Sequence, residues 1–257
     1  MISLTDTHCH LADAAFRHCL PDVITEAVTA GVRRFIVPAT QRADFQDVLA
    51  LERAETIHIG LGIHPWFAES AAEEDFAELE TLLLQHPRAW VGEIGLDFYD
   101  KNQTEAQKHI QKTCFLRQLA LAEKLRRPVI IHNLKATAAV VEAVKQSRFT
   151  QGGIAHAFSG SLEEAHMLIR AGFSIGIGSL LLNPTARKAR EAAAKLPLES
   201  IVLETDSPFM LKNAVNTPAN VREIAEITAS LRDISVEEVA RQTEENVDRL
   251  LAKLRYS

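Results

Sequence analysis

Short apolar runs alternate with longer amphipathic stretches along most of the chain. The apolar runs are Leu4–His8, Arg34–Pro38, Ile57–Ile63, Ala89–Ile94, Pro128–His132, Gly153–Ala157, Phe173–Gly178 and Ile201–Glu204. Most are continuously apolar rather than alternating, the pattern of parallel strands buried on both faces. Helical spacing marks the segments between and after them: Pro21–Ala30, Asp44–Glu55, Glu73–Gln85, Thr104–Leu125, Leu134–Gln146, Leu162–Ala171, Pro184–Leu196 and Pro218–Leu231. A last helix, Val236–Leu254, is announced by Ser235 and Glu238 as a capping box. Gly31 and Gly172 stand as C-cap residues, and Pro128 stops the long fourth helix. Successive β-then-α units without a linker, repeat or low-complexity break predict one domain over residues 1–257. The expected architecture is α/β: a single (β/α)8 TIM barrel with an extra C-terminal helix. A doubly wound open sheet is the alternative.

Composition narrows the function classes. A 257-residue chain with 47% hydrophobic residues can bury a sizeable core. Its 28 Lys and Arg against 34 Asp and Glu, a net charge of −6, argue against coating nucleic acid through a bulk positive field. They do not argue against an enzyme that meets phosphate at a metal. Cys9, Cys19 and Cys114 have no paired spacing, so a reducing compartment is expected rather than a disulfide framework. No leader-like N-terminus and no long apolar run is present, so the expected location is the cytoplasm, with no membrane association. No heptad or apolar stripe demands an obligate protein partner.

Candidate chemistry lies at the carboxyl ends of the predicted strands, where barrel active sites form. The first strand ends in His8-Cys9-His10, whose alternation puts both imidazoles on one side and Cys9 on the other. The fourth carries Glu93 and, beyond it, Asp97; the fifth ends at His132, the sixth at His156, and the eighth at Glu204-Thr205-Asp206-Ser207. A carboxylate ending a buried apolar run needs a partner, and neither Glu93 nor Asp206 has a Lys or Arg nearby in sequence. Four imidazoles and two carboxylates on one mouth suit one or two divalent ions: Zn, Mn, Mg, Ni or Fe. His8, His10 and Asp206 can hold a first ion, His132 and His156 a second, with Glu93 bridging both. Glu204, Asp97 and Ser207 are placed behind the ligands, orienting them. Lys101, Lys135, Arg187, Lys188 and Lys212 fall near the same rim and can meet phosphate. Phe67, Phe98, Tyr99 and Phe209 follow strand ends and can stack a base.

These motifs resemble a known family. Thr-His-Cys-His, Gly-x-His-Pro, Gly-Glu-Ile-Gly-Leu-Asp, Ile-His, His-x-Phe-Ser-Gly and Glu-Thr-Asp-Ser-Pro look like the TatD metal-dependent hydrolases and deoxyribonucleases of the amidohydrolase superfamily. The resemblance runs through the whole chain in order. It implies a barrel with a mono- or dinuclear site, and hydrolysis of phosphodiesters, notably 3′–5′ exonucleolytic trimming of DNA. It assigns as ligands His8, His10, Glu93, His132, His156 and Asp206, the set reached above from strand ends. It also implies that His64 faces the substrate phosphate. Two places depart from it: His132 is followed by Asn133-Leu134 rather than Ser-Arg, and the stretch Phe209–Pro218 carries one basic residue, Lys212.

The expected reaction is hydrolysis by metal-activated hydroxide, with Asp206 as general base. The alternative keeps the site and changes the bond, to a small-molecule ester or amide or an aminoacyl ester. Metal bridging by a carboxylated lysine is not expected, because Glu93 occupies the position.

Overall fold

The computed structural model of the chain describes residues 2–255. Strands β1 (Leu4–Asp6), β2 (Val32–Pro38), β3 (Ile57–Leu61), β4 (Trp90–Asp97), β5 (Val129–Leu134), β6 (Gly153–Ala155), β7 (Phe173–Ile177) and β8 (Ile201–Leu203) pair in chain order, all parallel. Helices α1 (Leu20–Ala30), α2 (Phe45–Leu51), α3 (Glu73–Gln85), α4 (Glu105–Lys124), α5 (Thr137–Gln146), α6 (Leu162–Arg170), α7 (Arg187–Lys195) and α8 (Val221–Arg232) follow the successive strands. The sheet closes as β8 meets β1. The Thr7 amide and hydroxyl both donate to the Leu203 carbonyl at 3.0 Å, and the Asp206 amide donates to the His8 carbonyl at 2.8 Å. This is the expected (β/α)8 barrel, and the open sheet is excluded.

The extra helix α9 (Val236–Ala252) has a particular place. Val247, Leu250 and Leu251 of α9, with Leu254, bury against Ile36, Trp90, Ile130, Ile154 and Val202. Four of those strand residues lie within the first two positions of their strands. The helix therefore plugs the N-terminal end of the barrel. Its start is capped as expected on one side: the Ser235 hydroxyl accepts from the Glu238 amide at 3.2 Å.

Strand ends differ from the sequence expectation in ways that matter for the site. β4 runs on to Asp97, pairing Gly95 with His132 and Asp97 with Leu134. Gly95 makes this possible: its φ is +142°, and a Cβ there would lie 2.0 Å from the His132 carbonyl oxygen. β5 in turn reaches Leu134, so α5 starts only at Thr137. β1, β6 and β8 stop earlier than expected. Beyond β1 the chain stays extended, held by a Cys9–Ser207 bridge and by the Cys9 amide on the Ile36 carbonyl.

Candidate metal centre

His8 and His10 do face the same way. Their Nε2 atoms are 3.1 Å apart, while the Cys9 sulfur points at the Ile36 carbonyl on the other side. Around them the strand ends bring the other predicted ligands into one buried cluster. Glu93 is its centre. Oε2 lies 3.3 Å from His8 Nε2 and 3.8 Å from His10 Nε2. Oε1 lies 2.6 Å from His156 Nε2, 3.1 Å from His132 Nδ1 and 3.3 Å from His64 Nε2. Asp206 closes the β1 side, with Oδ1 3.3 Å from His10 Nε2.

Three sets of donor atoms lie close enough to share an ion: His8, His10 and Asp206; His8, Glu93 and His156; His64, Glu93 and His132. These sets group the donors differently from the division expected from sequence, in two respects. His156 stacks on His8, ring centroids 3.8 Å apart, and so shares donors with the β1 group as well as with His132. His64, expected to face substrate, stands among the donors.

The donors fit divalent cations. They are imidazole and carboxylate with no thiolate, a set suited to Zn or to harder ions. The rings also crowd nitrogen against nitrogen, His8 Nε2 lying 3.1 Å from His10 Nε2 and His132 Nδ1 3.2 Å from His156 Nε2, contacts that a shared cation or proton relieves. Burial, and then the neighbouring His156, push His8 down to about 4, leaving it unprotonated at neutral pH. Burial works against ionisation of Glu93, but His156, His64 and His8 around it hold its carboxyl well below the usual range. Burial likewise lowers His132, yet hydrogen bonds to Asp97 and Glu93 outweigh it and raise the group to about 9.

Behind the donors lies a set of holding contacts. Asp97 Oδ2 is 3.2 Å from His132 Nε2, leaving Nδ1 to face the cluster. Glu204 does not reach a His. Its Oε1 accepts from the Ala157 amide, next to His156, and its carboxyl fills the space left by Gly176. The Ser207 backbone, not its hydroxyl, is what reaches the site, its carbonyl accepting from the His10 amide at 2.7 Å.

Several contributors escaped the sequence reading. Asp6 is fully buried and accepts from the His8 amide (3.2 Å), the Thr205 amide (3.0 Å) and the Thr205 hydroxyl (2.5 Å). It thus ties the strand bearing His8 to the strand bearing Asp206. Its signal was present: a carboxylate inside an apolar run, as for Glu93. Gln111 and Gln118 of α4 are buried. Gln111 accepts from the Asp97 amide (2.9 Å), and Gln118 brackets the Ile63 amide (2.8 Å) and carbonyl (2.9 Å), fixing the chain before His64. Nothing local distinguishes them from surface glutamines.

A cleft of about 830 Å³ opens over the cluster, walled mainly by the loops after β1, β2 and β3. Trp66, Phe67, Phe209 and Met210 line it; Phe98 and Tyr99 do not. None of the rim cations expected from sequence, Lys101, Lys135, Arg187, Lys188 and Lys212, lines it, and all are exposed. The cleft leans towards β1–β3, away from the β4 loop and the start of α7 that carry Lys101, Arg187 and Lys188. Among the described residues lining it, Arg17 is the one Arg or Lys.

A barrel whose C-terminal mouth gathers imidazoles around a buried carboxylate is the scaffold of a metal-dependent hydrolase. Comparison with known proteins makes this particular. The family model described as TatD related DNase matches residues 5–252, and the chain belongs to the TatD family of metal-dependent hydrolases. It is 34% identical over 244 residues to the uncharacterized metal-dependent hydrolase YjjV of Escherichia coli K12, covering 92% of this chain and 93% of that protein. The crystal structure of YjjV, a TatD homolog, superposes with a TM-score of 0.89 over 96% of this chain and 97% of that one, at 32% identity. Deoxyribonuclease TATDN3 of Homo sapiens is 31% identical over 268 residues, 99% of this chain and 97% of that protein. No helix among the described residues is long and apolar enough to cross a membrane.

Proposed function

We propose that this hydrolase is a phosphodiesterase that removes nucleotides from the 3′ end of DNA, using one or two ions of Zn, Mn, Mg or Ni. The supporting observation is the Glu93 carboxylate placed between two groups of imidazoles on the floor of the cleft. The deoxyribonuclease name of the family and of its human relative supports the choice of substrate.

His8, His10 and Asp206 would hold one ion; Glu93 with His132 and His64 would hold a second, with His156 close to both groups. Bound there, a divalent ion supplies a nucleophilic water near neutral pH and polarises a phosphoryl oxygen. The chain's own residues do the rest. Asp206 is kept ionised against its burial by the hydrogen bond from His10 and the nearby His8, so it can take a proton from the attacking water. Asp97 fixes the orientation of the His132 ring. Asp6 and Thr205 keep the β1 and β8 donors in register.

One observation favours a second reading, a small-molecule phosphoester or carboxylic ester as substrate. A groove that tracks a nucleic-acid backbone needs a row of cations, and this cleft offers Arg17 alone among its described Arg and Lys residues. An end-acting enzyme meets the same constraint, because it grips few phosphates.

The test uses protein purified without chelator, its metal content measured, and single-stranded DNA labelled at either end. Release of a labelled mononucleotide as first product from the 3′-labelled strand, lost on chelation, is expected. Intact DNA alongside brisk cleavage of a simple ester would replace this reading with the second.

A further inference from the structure

Trp66 is the largest exposed apolar side chain at the mouth. It is 71% exposed, yet it is not free to wander. Its indole Nε1 donates to Asp97 Oδ2 at 2.8 Å, the same oxygen that faces His132 Nε2. Its ring meets the His64 ring edge-on, centroids 4.9 Å apart at 78°, and the His132 ring at 6.4 Å and 61°. The residue before it, Pro65, and the turn Pro65–Phe67, whose first amide hydrogen bond goes to the His64 ring, stiffen the backbone. A second exposed ring lines the same cleft on the β8 side: Phe209, 50% exposed, its centroid 5.6 Å from that of His10.

An exposed indole tied by its only polar atom presents flat apolar faces to water at no gain to the fold. What such a face takes up is a planar aromatic group, and stacking needs little reordering when the ring is already fixed. We infer that Trp66 is a specificity-determining residue: it stacks the nucleobase of the nucleotide whose phosphate lies over the cluster. Phe209 lines the same cleft from the other flank. Asp97 is then a positioning residue for both halves of the site, since one carboxylate orients the ligand His132 and the platform Trp66. The scarcity of cations in the cleft fits this arrangement, because base stacking replaces backbone charge as the source of grip. The inference rests on the phosphodiesterase reading for the identity of the base-bearing substrate, and the stacking itself can be tested without turnover.

The chain supplies its own probe. Its two tryptophans are Trp66 and Trp90, and Trp90 is fully buried at the foot of the barrel. Saturable quenching of intrinsic fluorescence by deoxyadenosine monophosphate, absent with ribose 5-phosphate and abolished in Trp66→Phe, is expected in metal-loaded protein. The kinetic counterpart compares a DNA strand with one whose 3′-terminal nucleotide lacks its base. Wild-type protein should favour the normal end by about tenfold in KM, the scale of one stacked base. Trp66→Ala should bring that ratio close to one, and Trp66→Phe should restore most of it. An unchanged ratio in a folded Trp66→Ala variant, or equal quenching by ribose 5-phosphate, overturns the inference. Base-dependent quenching in a protein that cleaves no DNA would support stacking while removing the nuclease reading.

Discussion

The two ends of the barrel are built from the same strands and do opposite things. On β5, Ile130 and His132 are two residues apart, so alternation puts both on the barrel's inner side; on the β6 run, Ile154 and His156 stand in the same relation. At the foot, Ile130 and Ile154 join Trp90 and Val202 beneath the apolar face of α9. At the mouth, two residues on, the same inner side carries imidazoles against a buried carboxylate. The foot buries large apolar groups and asks little of geometry. The mouth buries charges that only mutual contacts, and a cation, make tolerable. The lesson is a division of work: the foot and the helical shell stabilise the fold, which lets the mouth hold an arrangement that contributes chemistry instead.

The sharpest way to break this comparison is to neutralise the mouth. Asp206→Asn should lower kcat by about a thousandfold or more, with thermal melting close to that of the parent. A variant that turns over well while folded and metal-loaded would take Asp206 out of the proton-accepting role. The converse change is at the foot. Ile130→Ala should cost roughly 2–5 kcal/mol of stability by urea unfolding, while turnover per folded molecule stays near normal. A large loss of activity with little loss of stability would mean that the two ends are not separable.

A subtler change tests the contacts behind the ligands. Asp97→Ala frees His132 and Trp66 together, and metal affinity measured by competition with a chelator should fall by about 10- to 100-fold. Unaltered affinity would reduce Asp97 to a contact without consequence. The smallest effect concerns a histidine at the foot. His58 is pushed down to about 4 by burial and by the neighbouring charges of Arg34 and Arg88, so it is neutral in the fold. Between pH 6.5 and 4 the unfolded chain binds a proton there that the folded chain refuses, and stability falls as pH falls through that window. His58→Gln should therefore lose less stability than the parent on going from pH 7 to pH 5, read from urea midpoints.

Much of the architecture was legible residue by residue. Continuous apolar runs separated by amphipathic ones indicate parallel strands and their crossover helices, because burial on two faces leaves no polar alternation. The cluster's His8, His10, Glu93, His132, His156 and Asp206 were legible for a related reason: charged groups ending apolar runs have few other uses. The family resemblance drew on the same positions. Trp66 was not singled out among the aromatics that follow strand ends, because only its exposure and its tie to Asp97, both tertiary features, distinguish it from its neighbour Phe67. That the rim lysines stand outside the cleft lining was not legible either, because sequence places a residue in a loop without saying which way the mouth leans.

By itself the sequence determined which segments are strands and helices, and which side chains need a partner to be buried. These follow from local periodicity and from the free energy of taking a charge out of water, both properties of short stretches. Tertiary closure decided who the partners are. Asp6 meets Thr205, Glu93 meets imidazoles from four other strand ends, and α9 seals the foot, because curvature and register bring distant residues within hydrogen-bond reach.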